Sequence, residues 1–549
     1  MMATLTGKAA IPMTLGGLLC EVGLECPASC RKLAIGGIAA DSRQVGPGWL
    51  FVAMAGETVD GHDFLIQAVE RGAVALLVDN PQKIPAGLAK RIAVIKVADC
   101  RNILAGLAAG FYGHPERALK LFGITGTNGK TTTSYLLEAI IRASGGEPGV
   151  IGTVNYRFLG RESAGAFTTP EPLTLFALMR QMVTGGVTHL IMEVSSHALA
   201  LGRVAGLRFD LALFTNLTRD HLDFHGTMAA YFAAKKTLFT EHLKEDGAAL
   251  VMLSESEDGE EEWGGHLVEE LLATGRFSRS ESGKKTRKLR PGQVPLLTCG
   301  RRRGELRIGR AELSLAGINA DLLLPDGGGL TINSPLVGDF NLENILVAVG
   351  GGWLAGFTPE QLTAGVGAMR RVPGRLERVE VPEGGNCLVF VDYAHTPDAL
   401  TRVLVTLRRL GGGRLVVVFG CGGDRDRGKR PLMGAAAGQL ADVVLVTSDN
   451  PRSEEPLAIM AEIEPGICPA GGQPLLPRLR AESLLAGGGR GYDLVVSRRQ
   501  AIRLAVGCAR PGDVVLLAGK GHEDYQIIGR QKFYFDDRHE AALQMQVVR

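Results

Sequence analysis

Apolar residues in this chain come in short continuous runs, most of them closed by Gly, Asp, Asn or His and followed by stretches with helical spacing. Residues 49–56 predict a strand that ends in a glycine turn, and 63–79 a helix, a glycine stop and a second strand. A further run at 119–126 ends in glycine, and a helical stretch at 131–144 follows it directly. Residues 188–194 and 209–217 are two more buried-strand candidates. From about Val347 strand then helix repeats, with strands placed in 387–395, 414–423, 442–451 and 513–522. Short strands that are apolar throughout and alternate with helices imply parallel sheets covered on both faces. In such sheets the active groups collect beyond the carboxyl ends of the strands.

A polar break at Pro115 and the change of pattern near Val347 divide the chain into 1–115, 116–346 and 347–549. With 549 residues the chain is too long for one core. Its net charge of +2 gives no argument for nucleic acid or an acidic membrane as partner. No apolar run is long enough to span a bilayer, residues 1–13 do not resemble a signal peptide, and the nine cysteines are scattered. A reducing compartment, the cytoplasm, is therefore expected. Cys26 and Cys30 are the closest cysteine pair, with no second pair nearby to complete a metal site. Residues 276–310 hold twelve Lys or Arg, two acids (Glu281 and Glu305) and a single aromatic, Phe277. A solvated insertion loop is expected there rather than a base-stacking surface. A surface excursion is expected at 466–491, which is rich in Gly, Pro and Leu.

The strongest chemical signal is Gly126-Thr127-Asn128-Gly129-Lys130-Thr131-Thr132, between a predicted strand and a predicted helix. Glycines let backbone N–H groups approach phosphate oxygens, and a helix N-terminus favours an anion. Lys130 supplies a positive charge, and Thr131 is placed to hold Mg2+. A second group, Glu193, Ser195 and His197 with Arg219, Asp220 and His221, lies just past two strand candidates. Carboxylate and imidazole at strand ends suit a divalent cation, although each histidine alone is more often structural than a ligand. Lys235 alone reads as an ordinary surface-helix lysine. In the last part, the clusters at 420–431, 448–456 and 518–525 each follow an apolar strand. Arg425, Asp449, Asn450, Arg452 and Glu523 would read a small zwitterion, with arginine pairing its carboxylate by a bidentate fork. The alternative is polar turns with capping Asp and Asn.

Taken together, GITGTNGKTTT, MEVSSHAL, TNLTRDHLDFHG, YFAAKKTLF, LVGDFNLENILVA, VDYAHTPDAL, FGCGGDRDRGKRPLMG, DNPR and AGKGHEDYQ resemble the Mur ligases of peptidoglycan synthesis, over nearly the whole chain and in the right order. The resemblance implies an α/β protein of three domains: a UDP-muramyl-binding domain, a central P-loop parallel-sheet ATPase domain and a C-terminal Rossmann-like, amino-acid-binding domain. It implies ATP-dependent addition of meso-2,6-diaminopimelate to UDP-N-acetylmuramoyl-L-alanyl-D-glutamate through an acyl phosphate, by a cytoplasmic monomer. It places ATP at residues 126–132 with Asn341, Asn344, Arg375, Asp392 and His395. Mg2+ falls to Thr131, Glu193, His221 and a carbamylated Lys235; Lys130, Lys235 and His221 carry catalysis. Ser42, Thr168, Thr169, Ser195 and Arg203 match the positions that bind the UDP-muramyl dipeptide. Arg425, Asp449, Asn450, Pro451, Arg452, Gly519 and Glu523 match the amino-acid pocket. The chain departs from the family at residues 253–256, at Ser497 and at Leu201. Other readings are the L-lysine-adding Mur ligase, folylpolyglutamate synthase, and a nucleic-acid-binding ATPase that uses the basic stretch.

Overall fold

A computed structural model describes residues 13–56, 59–255, 262–279, 292–380, 387–468, 473–487 and 489–547. The chain packs as two compact units. One comprises Met1–Ile308, Leu322–Leu330 and Glu343–Val366; the other comprises Gly309–Asp321, Thr331–Leu342 and Gly367–Arg549.

In the first unit the strands Gly37–Ala39, Trp49–Ala53, Ala73–Val78 and Ala93–Lys96 form a parallel sheet in chain order. The glycine-turn strand and the helix–strand pair predicted for this region are both present. A second sheet runs in parallel through Pro148–Ile151, His189–Glu193, Lys120–Thr125, Phe209–Phe214, Leu243–Met252 and Val294–Gly300. One core contains residues of both sheets, Leu50 and Leu77 with Leu121, Leu190 and Phe209. The register pairs Glu193 with Ile124 and Phe214 with Thr125. The strand ends that carry the motifs therefore lie side by side.

In the second unit the parallel strands Leu388–Asp392, Val514–Ala518, Leu415–Phe419, Val443–Val446 and Gly491–Leu494 lie in that order. Both faces are covered. Val417, Phe419, Val444 and Val446 point into one core, and Val416, Val418, Val443 and Leu445 into another. This explains why the strands are apolar at every position instead of alternating. Ser497 caps the helix Arg498–Gly507, its Oγ accepting from Gln500 N at 3.3 Å, so this departure from the family keeps the capping chemistry.

Two expectations are corrected. Residues 276–310 are not one solvated loop: Phe277–Arg279, Val294–Gly300 and the start of Leu306–Ser314 are sheet strands, with Val294, Leu296, Leu297 and Cys299 buried. The run of apolar residues after Pro295 outweighs the flanking charge, and much of that charge lies at 280–291, outside the described residues. Residues 466–491 are not only a surface excursion, because Leu476, Ala481 and Leu484 are buried. All nine cysteines are free thiols; the Sγ atoms of Cys26 and Cys30 are 3.8 Å apart. No helix among the described residues is long and apolar enough to cross a membrane.

Candidate active site

The glycine-rich loop joins the strand Lys120–Thr125 to the helix Lys130–Ala143. Gly126 and Gly129 have φ of +146° and +88°, a region that side chains other than glycine rarely enter. Space is the second constraint. A Cβ on Gly126 would lie 1.9 Å from Thr215 Oγ1, and one on Gly129 would lie 2.2 Å from Asn344 Oδ1. Asn216 ties the loop to the neighbouring strand end, its backbone O accepting from Thr127 N at 2.9 Å and its Oδ1 from Asn128 N at 2.9 Å. Lys130 Nζ donates to the carbonyls of Gly126 and Thr127, each at 2.8 Å. The loop thus concentrates positive charge at a helix N-terminus, the arrangement a polyphosphate requires.

Glu193 closes the adjacent strand and is 1% exposed. Its Oε2 accepts from Thr131 Oγ1 at 3.0 Å and from Thr153 Oγ1 at 2.9 Å, and its Oε1 from Thr153 N at 3.1 Å. All three donors are neutral, and no Lys or Arg pairs with Glu193 among the described residues. A buried carboxylate beside the loop hydroxyl, without a counter-cation, fits a divalent metal ion. Among the described residues no group of three or more His, Cys, Asp or Glu side chains could hold a metal by itself. A metal here would therefore draw further ligands from hydroxyls, water and the nucleotide.

Lys235 lies on the helix Met228–Thr240 and is 2% exposed. Its Nζ donates to Gly126 O at 2.8 Å and sits 4.5 Å from the centre of the Tyr231 ring. Burial first, and then the nearby Lys130 charge, hold its amine well below the usual lysine range; Asp220 opposes them. His221 follows Asp220 with φ +53°, and its ring is partly open to solvent. It stands 4.8 Å from the ring of His197, and His225 lies 5.5 Å from His197. The residues matched to the UDP-muramyl dipeptide divide into two places. Thr168 Oγ1 meets Thr153 Oγ1 at 3.0 Å; Thr169 Oγ1 donates to Glu193 O and accepts from Ser195 N; Arg203 donates to Thr169 O. Those four gather beside Glu193. Ser42 is placed in the N-terminal sheet's first loop, where its Oγ donates to Gln67 Oε1 at 2.6 Å. Asn344 belongs to the first unit and Asn341 to the second, where its Nδ2 donates to Val337 O at 2.8 Å.

In the second unit Arg375, Asp392 and His395 come together around Tyr393. Arg375 lies 4.8 Å from the Tyr393 ring and His395 4.6 Å. Asp392 is buried, and its two oxygens accept from Leu376 N at 2.6 Å and Ala394 N at 2.7 Å. Burial pushes its carboxyl up while Arg375 and these two amides oppose the shift. His522 is half-buried, and burial first, then the charges of Arg375 and Arg538, pull its imidazole down to about 3.

The DNPR segment follows the strand Val443–Val446. Asn450 Nδ2 donates to Glu523 Oε2 at 2.8 Å, and Asp449 is buried beside it. Gly519 has φ +108°, and a Cβ there would stand 3.5 Å from Asp449 Oδ2. Burial pushes the Glu523 carboxyl up. Arg452, with φ +52°, is half-buried and donates from Nη1 to Gly423 O at 2.7 Å. Its remaining guanidinium N–H groups have no hydrogen-bond partner among the described residues. Arg425 is exposed and donates to Asp424 O at 3.0 Å.

Sequence reasoning missed two residues here. One is Lys520, fully buried between Asp449, Asn450 and Glu523; its signal was a lysine between two glycines straight after a buried strand. The other is Arg430, also fully buried, which donates to Gly422 O, Glu454 and Glu462 and so braces the loops that carry Arg425 and Arg452.

Three family models match the chain in order: the Mur ligase family, catalytic domain over residues 34–112, the Mur ligase middle domain over 124–351, and the Mur ligase, glutamate ligase domain over 374–521. The UDP-N-acetylmuramoyl-L-alanyl-D-glutamate--2,6-diaminopimelate ligase of Geobacter metallireducens is 45% identical over 93% of this chain and 94% of its own length. A solved structure of a ligase of that description superposes with a TM-score of 0.65 at 31% identity, covering 97% of this chain and 99% of its own. The folylpolyglutamate synthase of Mycobacterium tuberculosis, at 17% identity and a TM-score of 0.57 over 82% of this chain and 95% of its own, shares the fold alone. With a parallel-sheet fold in both units, motifs on neighbouring strand ends and these relatives along nearly its whole length, the chain belongs to the Mur ligase family.

Proposed function

We propose that this chain is an ATP-dependent, ADP-forming ligase that adds meso-2,6-diaminopimelate to the D-glutamate carboxylate of UDP-N-acetylmuramoyl-L-alanyl-D-glutamate, a step of peptidoglycan precursor synthesis. The observation that carries the amino-acid assignment is the cluster of Asp449, Asn450, Lys520 and Glu523 with Arg452 on the same DNPR segment. Acidic groups suit an ammonium, and the free N–H groups of Arg452 suit a second carboxylate. L-Lysine has no such carboxylate and would leave that guanidinium unpaired. The penalty is moderated because Arg452 is half-buried and already bonded to Gly423. Relatives of the diaminopimelate-adding description at 45% identity support the same reading.

A carboxylate resists attack by an amine because it has no good leaving group. Phosphorylation by ATP supplies one: a carboxylate oxygen attacks the γ-phosphorus and ADP leaves. The diamino acid's nitrogen then attacks the acyl carbon, phosphate departs, and the amine proton is released. In the first unit Gly126, Thr127, Asn128, Gly129, Lys130, Thr131 and Thr132 hold the triphosphate, with Asn344 next to Gly129. Thr131 and Glu193 would hold Mg2+, with His221 matched to the same role; the ion would supply positive charge to the phosphoryl oxygens. Lys235 is taken to carry a carbamate. Its amine, whose protonation burial and Lys130 disfavour, attacks carbon dioxide in the neutral form. An N–C bond forms, one proton goes to water, and a buried neutral amine becomes an anion. Thr168, Thr169, Ser195, Arg203 and Ser42 hold the nucleotide-sugar peptide. Arg375, Asp392, His395 and Asn341, matched to ATP-binding positions of the family, belong to the second unit.

By function the chain divides into 1–115 for the UDP-muramyl substrate, 116–346 for ATP and 347–549 for the amino acid, a division supported by the three matched spans. Free thiols at every cysteine and the use of ATP and a nucleotide sugar support a cytoplasmic location. Incubation with UDP-muramyl dipeptide, ATP and either diamino acid tests the assignment. Turnover with meso-2,6-diaminopimelate far above that with L-lysine is expected; equal or better turnover with L-lysine would refute it.

A further inference from the structure

Lys520 is fully buried at the centre of the amino-acid cluster. Its Nζ lies 3.2 Å from Asp449 Oδ1, 3.1 Å from Asn450 Oδ1 and 3.4 Å from Glu523 Oε2. An ammonium has three N–H donors, so these acceptors account for all of them. Asn450 Oδ1 also accepts from Ile527 N at 2.9 Å, and its Nδ2 donates to Glu523 Oε2 at 2.8 Å. An amide whose oxygen faces two donors can turn its NH2 in only one direction, here toward Glu523. One cation among two carboxylates leaves one surplus negative charge. Arg498, the cation behind the cluster, is already neutralised by Asp537 at 2.6 Å.

We propose that Lys520 is a positioning residue for the amino-acid substrate: it stands as one cation between the Asp449 and Glu523 carboxylates and holds Asn450 in one amide orientation, so that the cluster offers one surplus negative charge to an ammonium of the diamino acid. This rests on the assignment of the cluster to that substrate. The backbone is built to put the amine there. Gly519 and Gly521 have φ of +108° and +53°, and a Cβ on Gly521 would lie 2.8 Å from Tyr393 Cα. Burial raises the Glu523 carboxyl, Lys520 opposes this, and Asp449 adds to it. Other charged and titratable groups around the pair are Tyr525, Tyr393, Cys421, Arg425, Arg452 and Arg498. Without Lys520, burial and mutual repulsion act in the same direction and one carboxyl takes up a proton.

The test is the KM for diaminopimelate of wild type, Lys520→Met and Asp449→Asn/Lys520→Met between about pH 6 and 8. In wild type it is flat. In Lys520→Met it is at least about tenfold higher at the acid end and falls as pH rises, because deprotonation restores the charge that binds the ammonium. The kcat at saturating amino acid and the KM for ATP stay within about threefold, and the double variant loses the pH dependence. A KM for Lys520→Met within about threefold of wild type at every pH, or a fall in kcat alone, would overturn the role. Wild-type preference for L-lysine would overturn the substrate assignment instead, and the role of Lys520 is then read from the KM for lysine. Circular dichroism checks folding. Lys520→Gln, neutral but still a hydrogen-bond donor, repeats the comparison if methionine is not tolerated. Unfolding of both variants would make Lys520 a folding residue and overturn the proposal.

Discussion

Asp537→Asn removes the charge opposite a guanidinium that water cannot reach. The side chains of Arg498 and Asp537 are both fully buried. Arg498 Nε donates to Oδ1 at 2.8 Å and Nη2 to Oδ2 at 2.6 Å, and Nη2 also donates to Ala518 O at 2.9 Å. Asparagine keeps the shape and one acceptor, but sets an NH2 group against an N–H. Removing one partner of a buried pair costs roughly 3–5 kcal/mol, because the remaining charge has no solvent to retreat to. One hydrogen bond survives here, so the lower end, about 3 kcal/mol, is expected. For a unit of this size that lowers the unfolding midpoint by roughly 6–12 °C. Differential scanning calorimetry measures it. Ala518 immediately precedes Gly519 and Lys520, so the same variant raises the KM for the amino acid and leaves the KM for ATP unchanged. Arg498→Met/Asp537→Leu, which removes both charges and keeps the volume filled, recovers most of the lost stability. A midpoint shift under about 2 °C for Asp537→Asn, or a double variant as unstable as the single, would refute the reasoning.

In the first unit, Gly126→Ala places a Cβ 1.9 Å from Thr215 Oγ1 and 3.0 Å from Asn216 O. Backbone strain of about 1–2 kcal/mol adds to that overlap, so ATP binding read by calorimetry falls by at least about tenfold; unchanged binding counts against the loop. Lys235→Ala abolishes most ligation, and a small carboxylic acid restores part of it if the carbamate chemistry is right; full activity in the variant would rule the carbamate out. Arg430, with Asp424 N, holds the Glu454 carboxyl down at about 2 from its ordinary 4.5. A depressed acid stabilises the folded form fully above its unfolded value and loses that contribution as pH falls toward its folded value. The midpoint difference between wild type and Glu454→Gln therefore shrinks between about pH 4.5 and 2, and a difference that does not change with pH would contradict the ion pair.

Strands were legible because parallel sheets buried on both faces leave unbroken apolar runs, and the motifs were legible because they close those runs. Lys235 shows where bare residues mislead. Read alone it looked like a surface lysine beside Lys236. Yet Tyr231, Phe232, Lys235, Leu238 and Phe239 are the buried face of the helix Met228–Thr240, and Lys235 stands at a core position of that 3.6-residue period. Lys236, one residue on, points out to Glu270 at 2.6 Å. The period carried the signal, but a charged residue type was weighed as surface before its phase was checked. Lys520 carried only a weak local signal and Arg430 none, because most of their partners are distant in the chain: 70 and 71 residues away for Lys520, 8 to 32 for Arg430. The 276–310 stretch was misread for the opposite reason: a count of charge over a window hid a buried strand inside it.

Charge balance separates the buried groups that hold the fold from those that await a ligand. Arg157 meets Glu138 at 2.5 Å and lies over the Tyr135 ring; Arg498 meets Asp537; Arg430 and Arg427 together meet Glu454 and Glu462. Each is neutralised within its own unit, so folding alone justifies it. Lys235 and Glu193 are as deeply buried, but the first bonds only to a carbonyl and the second only to hydroxyls and an amide. The Lys520 cluster is neutralised except for one charge. Isolated buried charge costs several kcal/mol unless something outside the fold offsets it. In the proposed function a metal ion offsets Glu193, a carbamate replaces the amine of Lys235, and an ammonium offsets the third group. On that reading the unbalanced residues are the ones completed by a substrate, a metal ion or a modification, and they stand beside the glycine-rich loop and the DNPR segment.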